Sequence, residues 1–121
     1  MKQEEFNERF RNRTKGLALS VIGVVGDLAY SDAIGILRKQ LVRSVTSVAA
    51  NFRAVCRARS ERERFSKLCI VVEEADETLF WMEMMTEGKF ITKEKIDGLY
   101  NEATEILKVM SAFKKRLSQN P

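Results

Sequence analysis

The residues of this chain that come closest to a reactive pair are two carboxylates, Glu73 and Glu77. They lie four residues apart, and an α-helix places such positions next to each other on one face. Paired carboxylates can hold a metal ion or act as general acid and base. The chain has no histidine and no glycine-rich phosphate loop that would complete such a site. We therefore predict no catalytic residue, no metal ligand and no cofactor; a ligand or catalytic site on Glu73 and Glu77 is the alternative.

A polar stripe runs along an earlier segment, next to Arg43. Four polar residues recur there at spacings of four, three and four: Gln40, Ser44, Ser47 and Asn51. Polar groups beside a core must find hydrogen-bond partners or they destabilise the fold. We predict that Arg43 bridges to Glu77 within an interhelical polar network. The predicted members are Gln40, Arg43, Ser47, Asn51 and Glu77.

Basic and acidic residues are segregated along the chain, although the net charge is only +4. Acidic residues dominate from position 73 to position 105. Basic residues dominate from position 38 to position 67. A group of them flanks one short connection: Arg53, Arg57, Arg59, Arg62, Arg64 and Lys67. We name this group the basic corner and predict that it binds the phosphates of RNA or DNA. The alternative is that acidic helices neutralise basic ones and the corner is only solvated.

Apolar residues recur at spacings of three and four in four segments, a pattern typical of α-helices that pack on one another. Helices are predicted at about residues 6–25, 33–57, 61–87 and 93–117, with fraying at 118–121. Ser60 is predicted to cap the third helix and Gly88 to end it. Because the connections are short, successive helices run antiparallel. The predicted fold is all-α: an up-down-up-down four-helix bundle in a single domain of residues 1–121.

The composition fits such a bundle. Apolar residues make up 45% of 121 residues, enough for one core, and the single proline is Pro121. Cys56 and Cys69 are too few for a disulfide scaffold, so we expect reduced thiols and a cytoplasmic protein; a disulfide is the alternative. The apolar run at 16–26 is too short to span a bilayer, which takes roughly 20 residues. We predict a core helix there, no membrane contact, and a signal sequence only as the alternative.

The third predicted helix is apolar on more than one face. Beside its stripe lie Phe80, Trp81, Met84 and Met85. A surface helix of a monomeric bundle carries a single apolar stripe, and surplus exposed apolar area usually marks an interface. We predict self-association through these four residues. The alternative is a monomer in which this helix is the most buried element.

Several segments resemble one known family. Residues 40–52, QLVRSVTSVAANF, resemble the second helix of the 23S rRNA-intervening sequence proteins, bacterial four-helix bundles first noticed as reading frames inside those intervening sequences. Residues 68–81, LCIVVEEADETLFW, resemble the third helix, and residues 102–106, EATEI, resemble the fourth. The segment at 13–19, RTKGLAL, is similar to the start of the first helix.

The resemblance implies a ring-like homopentamer with no established enzymatic activity. A related branch serves reverse transcriptases of diversity-generating retroelements as an accessory protein, binding the polymerase and nucleic acid through a basic surface. The recurrent polar positions of the family are matched by Arg43, Ser47, Asn51 and Glu77. Many members carry a Glu-Gly pair after the asparagine, where this chain has Ala54 and Val55.

The sequence therefore predicts a non-enzymatic homo-oligomer, a homopentamer by resemblance, that binds RNA or DNA through the basic corner. The alternative is a protein–protein scaffold, or an accessory subunit of a protein such as a reverse transcriptase, with no nucleic-acid role.

Overall fold

The computed structural model describes residues 1–119, and four α-helices fill most of that range. α1 spans Gln3–Gly26, α2 spans Asp32–Cys56, α3 spans Glu61–Glu87 and α4 spans Lys93–Gln119. The predicted all-α four-helix bundle is confirmed. α4 continues through Ser118 and Gln119, which were expected to fray; the rest of that prediction, for residues 120 and 121, lies outside the described residues.

Serine side chains cap the N-termini of the second and third helices. The Oγ of Ser31 accepts a hydrogen bond from the Ile34 N–H at 3.1 Å, and the Oγ of Ser60 accepts one from the Glu63 N–H at 3.1 Å. Each bond satisfies a backbone donor that the first helical turn leaves unpaired. α1 begins three residues before the predicted position, at Gln3, although Lys2 supplies no side-chain cap.

The end of α3 differs from the prediction in its backbone geometry. Gly88 has an ordinary helical φ of −76°, and the left-handed residue is Lys89 with φ 63°. A Cβ on residue 88 would lie 2.6 Å from the Phe90 ring and 2.8 Å from the Met84 carbonyl oxygen. Glycine is therefore needed at 88 because Phe90 folds back onto the helix end, and not for its freedom in φ.

Each helix packs against its neighbours along the chain. α1 contacts α2, α2 contacts α3, α3 contacts α4, and α4 closes the arrangement against α1. Within residues 1–119 the Cα atoms of the diagonal pairs α1–α3 and α2–α4 stay more than 8 Å apart, and these pairs meet only through side chains. The shared centre is filled by large buried side chains: Val21, Leu41, Phe52, Leu68, Met82, Met85, Ile96, Ile106 and Met110.

An ion-pair cluster joins the first helix to the last. The guanidinium of Arg13 donates to Glu102 at 2.9 and 2.6 Å and to Glu105 at 3.0 Å. Arg13 also lies over the Phe10 ring, 4.7 Å from its centroid. The hydrogen bond from Arg13 holds the pKa of Glu102 below its ordinary value of 4.5.

In the described part of the chain, none of the four helices has the length and apolar character that a membrane-spanning helix requires.

Candidate nucleic-acid interface

Arg43 is the centre of the polar contacts between α2 and α3. It donates to Glu74 at 2.9 Å and also to Glu77, the predicted partner, while its Nε bonds the Gln40 Oε1 at 3.3 Å. The indole of Trp81 donates to the same Glu77 oxygen at 3.1 Å. The bonds from Trp81 and Arg43 lower the pKa of Glu77, so this carboxylate is fixed in its charged form as a structural acceptor.

The contacts of Arg43 lie at the surface and not in the core. Its side chain is 48% exposed and that of Glu77 is 37% exposed. The predicted bridge from Arg43 to Glu77 is present, but it is a partly solvated ion pair. The buried polar pair is instead Ser44 with Thr78, whose hydroxyl oxygens lie 3.1 Å apart. Sequence reasoning saw Ser44 in the polar stripe but left it out of the network.

The other predicted network members form no single cluster with Glu77. The amide of Asn51 donates to the carbonyl oxygen and the Oγ of Ser47 at 2.9 and 3.0 Å, so this pair satisfies itself within α2. Glu73 is exposed and has no ion pair within residues 1–119. The carboxylate that shares Arg43 with Glu77 is that of Glu74. The described chain also contains no group of three histidine, cysteine, aspartate or glutamate residues that could hold a metal ion.

The basic corner surrounds the connection between α2 and α3. Arg53 lies in the last turn of α2, and Arg57 is its C-terminal cap. Arg59 lies in the loop, and Arg62 lies in the first turn of α3. These four residues are exposed, whereas Arg64 and Lys67 are half-buried along the side of α3.

Some of the charge in the corner is used locally. Arg59 pairs with Glu63 at 3.4 Å, and Arg64 pairs with Glu61 at 3.3 Å while lying 5.8 Å from the Phe113 ring centroid. Exposed pairs of this kind are weak. Three exposed arginines have no acidic partner within residues 1–119: Arg53, Arg57 and Arg62. In that range no ion pair joins the corner to the acidic stretch at 73–105, so the acidic helices do not neutralise it by direct contact.

A groove between α1 and α2 extends the corner across the bundle. It has a volume of about 560 Å³ and an apolar floor that includes Ala18, Leu19, Ile22, Ala49 and Ala50. Basic residues line it from both sides: Arg11 and Lys15 from α1, and Arg53 of α2 with the cap residue Arg57. We call this feature the α1–α2 groove. The sequence analysis missed Arg11 and Lys15; antiparallel packing places the N-terminal half of α1 beside the C-terminal end of α2, which is the signal that could have found them.

The outer face of α3 carries the predicted oligomer contacts, with one exception. Phe80 is 49% exposed and Met84 is 42% exposed, and the Phe80 ring packs on half-buried Trp81 with centroids 4.9 Å apart. Met85 was expected there too, and this prediction is wrong: its side chain is fully buried in the core of its own chain. The surrounding exposed charges on this face are acidic: Glu73, Asp76 and Glu87. We call this surface the acidic α3 face.

These features define a four-helix bundle with an exposed basic corner at one end. The family model of the 23S rRNA-intervening sequence protein matches residues 9–112, and the chain therefore belongs to that family. A crystal structure similar to this chain is that of a protein with unknown function from the S23 ribosomal protein family of Bacteroides thetaiotaomicron. It shares 28% sequence identity with a TM-score of 0.82, covering 90% of this chain and 97% of that one. The comparison with curated proteins gives no match.

Proposed function

We propose that this protein is a non-enzymatic homo-oligomer that binds RNA or DNA through the basic corner. The observation that carries the proposal is the group of exposed arginines without an acidic partner in the described chain, Arg53, Arg57 and Arg62. Arg11 and Lys15 line the α1–α2 groove together with Arg53 and Arg57 and add to the positive charge around the corner. Uncompensated cations on a surface attract the phosphate backbone and release its counterions.

The homopentamer proposed for this chain rests on family resemblance and on the exposed apolar residues of the acidic α3 face. Phe80 and Met84 remain largely open to solvent in the single chain, and covering them would contribute on the order of 25 cal/mol per Å² of apolar surface. A ring repeats the basic corner around one rim, so that a single nucleic-acid strand meets several copies. Such backbone contacts carry little base information, and we expect binding with little sequence preference.

The test compares two triple variants that remove the same charge. Arg57→Gln with Arg59→Gln and Arg62→Gln neutralises the corner, while Lys93→Gln with Lys95→Gln and Lys108→Gln neutralises exposed lysines of α4. Because Arg57 also lines the α1–α2 groove, sedimentation first verifies that each variant assembles like wild type. A fluorescent RNA is then titrated at several salt concentrations. We expect the corner variant to bind more weakly and its salt slope to fall by about one unit per lost phosphate contact, up to about three, while the α4 variant behaves like wild type.

Equal binding by wild type and the corner variant, or no binding at low salt, would contradict the nucleic-acid role. The second candidate function is then a scaffold or an accessory subunit for another protein, such as a reverse transcriptase. It is favoured by the exposed Phe80 and Met84, since apolar contacts mark protein interfaces. Binding to such a partner depends much less on salt than binding to phosphates does, so the same titration separates the two functions.

A further inference from the structure

Two exposed apolar surfaces of this chain have opposite charge. The α1–α2 groove has a floor with Leu19 and Ile22, which are 61% and 40% exposed, and its charged lining residues are basic. The acidic α3 face presents Phe80 and Met84 among exposed carboxylates, with Asp76 one turn before Phe80. One surface is a basic recess, and the other carries acidic residues around exposed apolar side chains.

The glycines of α1 supply an independent observation about the outer face of this helix, which the groove residue Leu19 shares. Gly16, Gly23 and Gly26 lie within or at the end of this helix, and a Cβ added at any of them would meet nothing within 4 Å. None has a positive φ, so nothing in the single chain requires glycine there. Each costs helix stability relative to alanine, by up to about 1 kcal/mol. Gly23 and Gly26 follow Leu19 by four and seven residues, on the same outer face. A bare helix surface of this kind permits close approach by another chain.

From these observations we infer that the α1–α2 groove is the docking site for the acidic α3 face of a second copy of this chain. Phe80 and Met84 enter the apolar floor beside Leu19 and Ile22, and the carboxylates around them meet Arg11 and Lys15 on α1. Burial of the four apolar side chains provides the attraction, and the opposite charges set the orientation and disfavour groove against groove or face against face.

The two surfaces belong to different sides of the bundle, so the contact is head-to-tail. Within the described range the Cα atoms of α3 lie more than 8 Å from those of α1. Phe80 lies on the side of α3 opposite its core residues Val71 and Met82. A head-to-tail contact leaves a pair of copies with one free groove on one copy and one free face on the other, and both are covered only when the assembly closes as a ring. The inference rests on the proposed homo-oligomer and assigns its interface. Arg53 and Arg57 line the groove and would be shared with its occupant, whereas Arg59, Arg62 and Lys67 do not line it and stay available to phosphates.

The test uses two variants that each lose one side of the contact. The groove variant is Leu19→Glu with Ile22→Glu, and the face variant is Phe80→Gln with Met84→Gln. Ile36→Glu is the matched control, because Ile36 is also exposed, at 63%, but belongs to neither surface. All are measured by sedimentation at micromolar concentration, after circular dichroism has verified the helical fold. A groove variant that unfolds is replaced by Leu19→Gln with Ile22→Gln, for which the same result is expected.

Wild type and Ile36→Glu should sediment as one oligomer, and the groove and face variants should each sediment as monomers. Mixed in equal amounts, the two variants should form a one-to-one heterodimer that grows no further, because only one intact groove and one intact face remain. Variants that assemble like wild type, or a mixture that stays monomeric, would overturn this interface while leaving the proposed oligomer standing. A monomeric wild type would instead remove the proposed oligomer itself.

Discussion

Arg43 is half exposed where it meets Glu74 and Glu77, and this exposure limits how much the contact stabilises the fold. Exposed ion pairs contribute between about 0 and 1 kcal/mol, whereas breaking a buried pair costs about 3–5 kcal/mol. We expect Arg43→Ala to lower the free energy of unfolding by about 1 kcal/mol, measured by urea denaturation. A double-mutant cycle with Glu77→Gln should give a coupling energy of about 0.5 kcal/mol. A loss above about 3 kcal/mol would mean that the pair behaves as a buried one.

The pair of Arg13 and Glu102 makes stability depend on pH. Because Arg13 lowers the pKa of Glu102 in the folded chain, the unfolded chain binds the proton more readily. The stabilisation is present above the ordinary pKa of 4.5 and is lost as pH falls through the lower folded pKa. We expect Glu102→Gln to lower the melting temperature at pH 7 and to differ less from wild type as the pH drops below 4.5.

The control for this measurement is Asp97→Asn, which removes an exposed carboxylate of the same helix that lies beyond its first turn and has no ion pair within residues 1–119. This substitution should leave the melting temperature nearly unchanged at both pH values. An equal effect of the two substitutions at neutral pH would show that the Arg13 contact contributes nothing specific.

The number and order of the helices could be read from the sequence, but some side-chain directions could not. The capping serine at Ser60 marks the start of α3 correctly. Met84 and Met85 are adjacent, so a helix points them about 100° apart, and the apolar stripe did not decide which one faces the core. In the structure it is Met85. Similarly, spacing placed Arg43 near Glu77 but did not reveal that Glu74 is a second partner, since both acids face α2.

Substitutions at two exposed helical glycines distinguish an effect on helix stability from an effect on assembly. Gly23 in α1 and Gly98 in α4 are both exposed, and a Cβ at either would meet nothing within 4 Å. Only Gly23 shares the outer face of α1 with Leu19. We expect Gly23→Ala and Gly98→Ala each to stabilise the helix by up to about 1 kcal/mol, but only Gly23→Ala to shift the sedimentation profile toward monomer. If assembly responds alike to both, the bare surface of α1 has no part in the interface.

For the binding properties of the whole molecule, the positions of the charged residues matter more than the net charge. The net charge of +4 predicts neither binding partner, but the fold collects the basic corner at one end and the carboxylates along the outer side of α3. The sequence showed this segregation as two blocks along the chain. It did not show that Arg11 and Lys15 join the corner, because that depends on which helices become neighbours.

The packing of each helix on its neighbours along the chain affects how quickly the chain folds, compared with how quickly two copies meet. Bundles whose contacts are mostly local fold within microseconds to milliseconds, whereas two proteins at micromolar concentration, associating at typical rates of 10⁵–10⁷ M⁻¹s⁻¹, meet only after about 0.1–10 s. A newly made chain would therefore complete its core long before it finds a second copy. During that interval Leu19, Phe80 and Met84 would remain uncovered, and the waiting time would shorten as more copies accumulate.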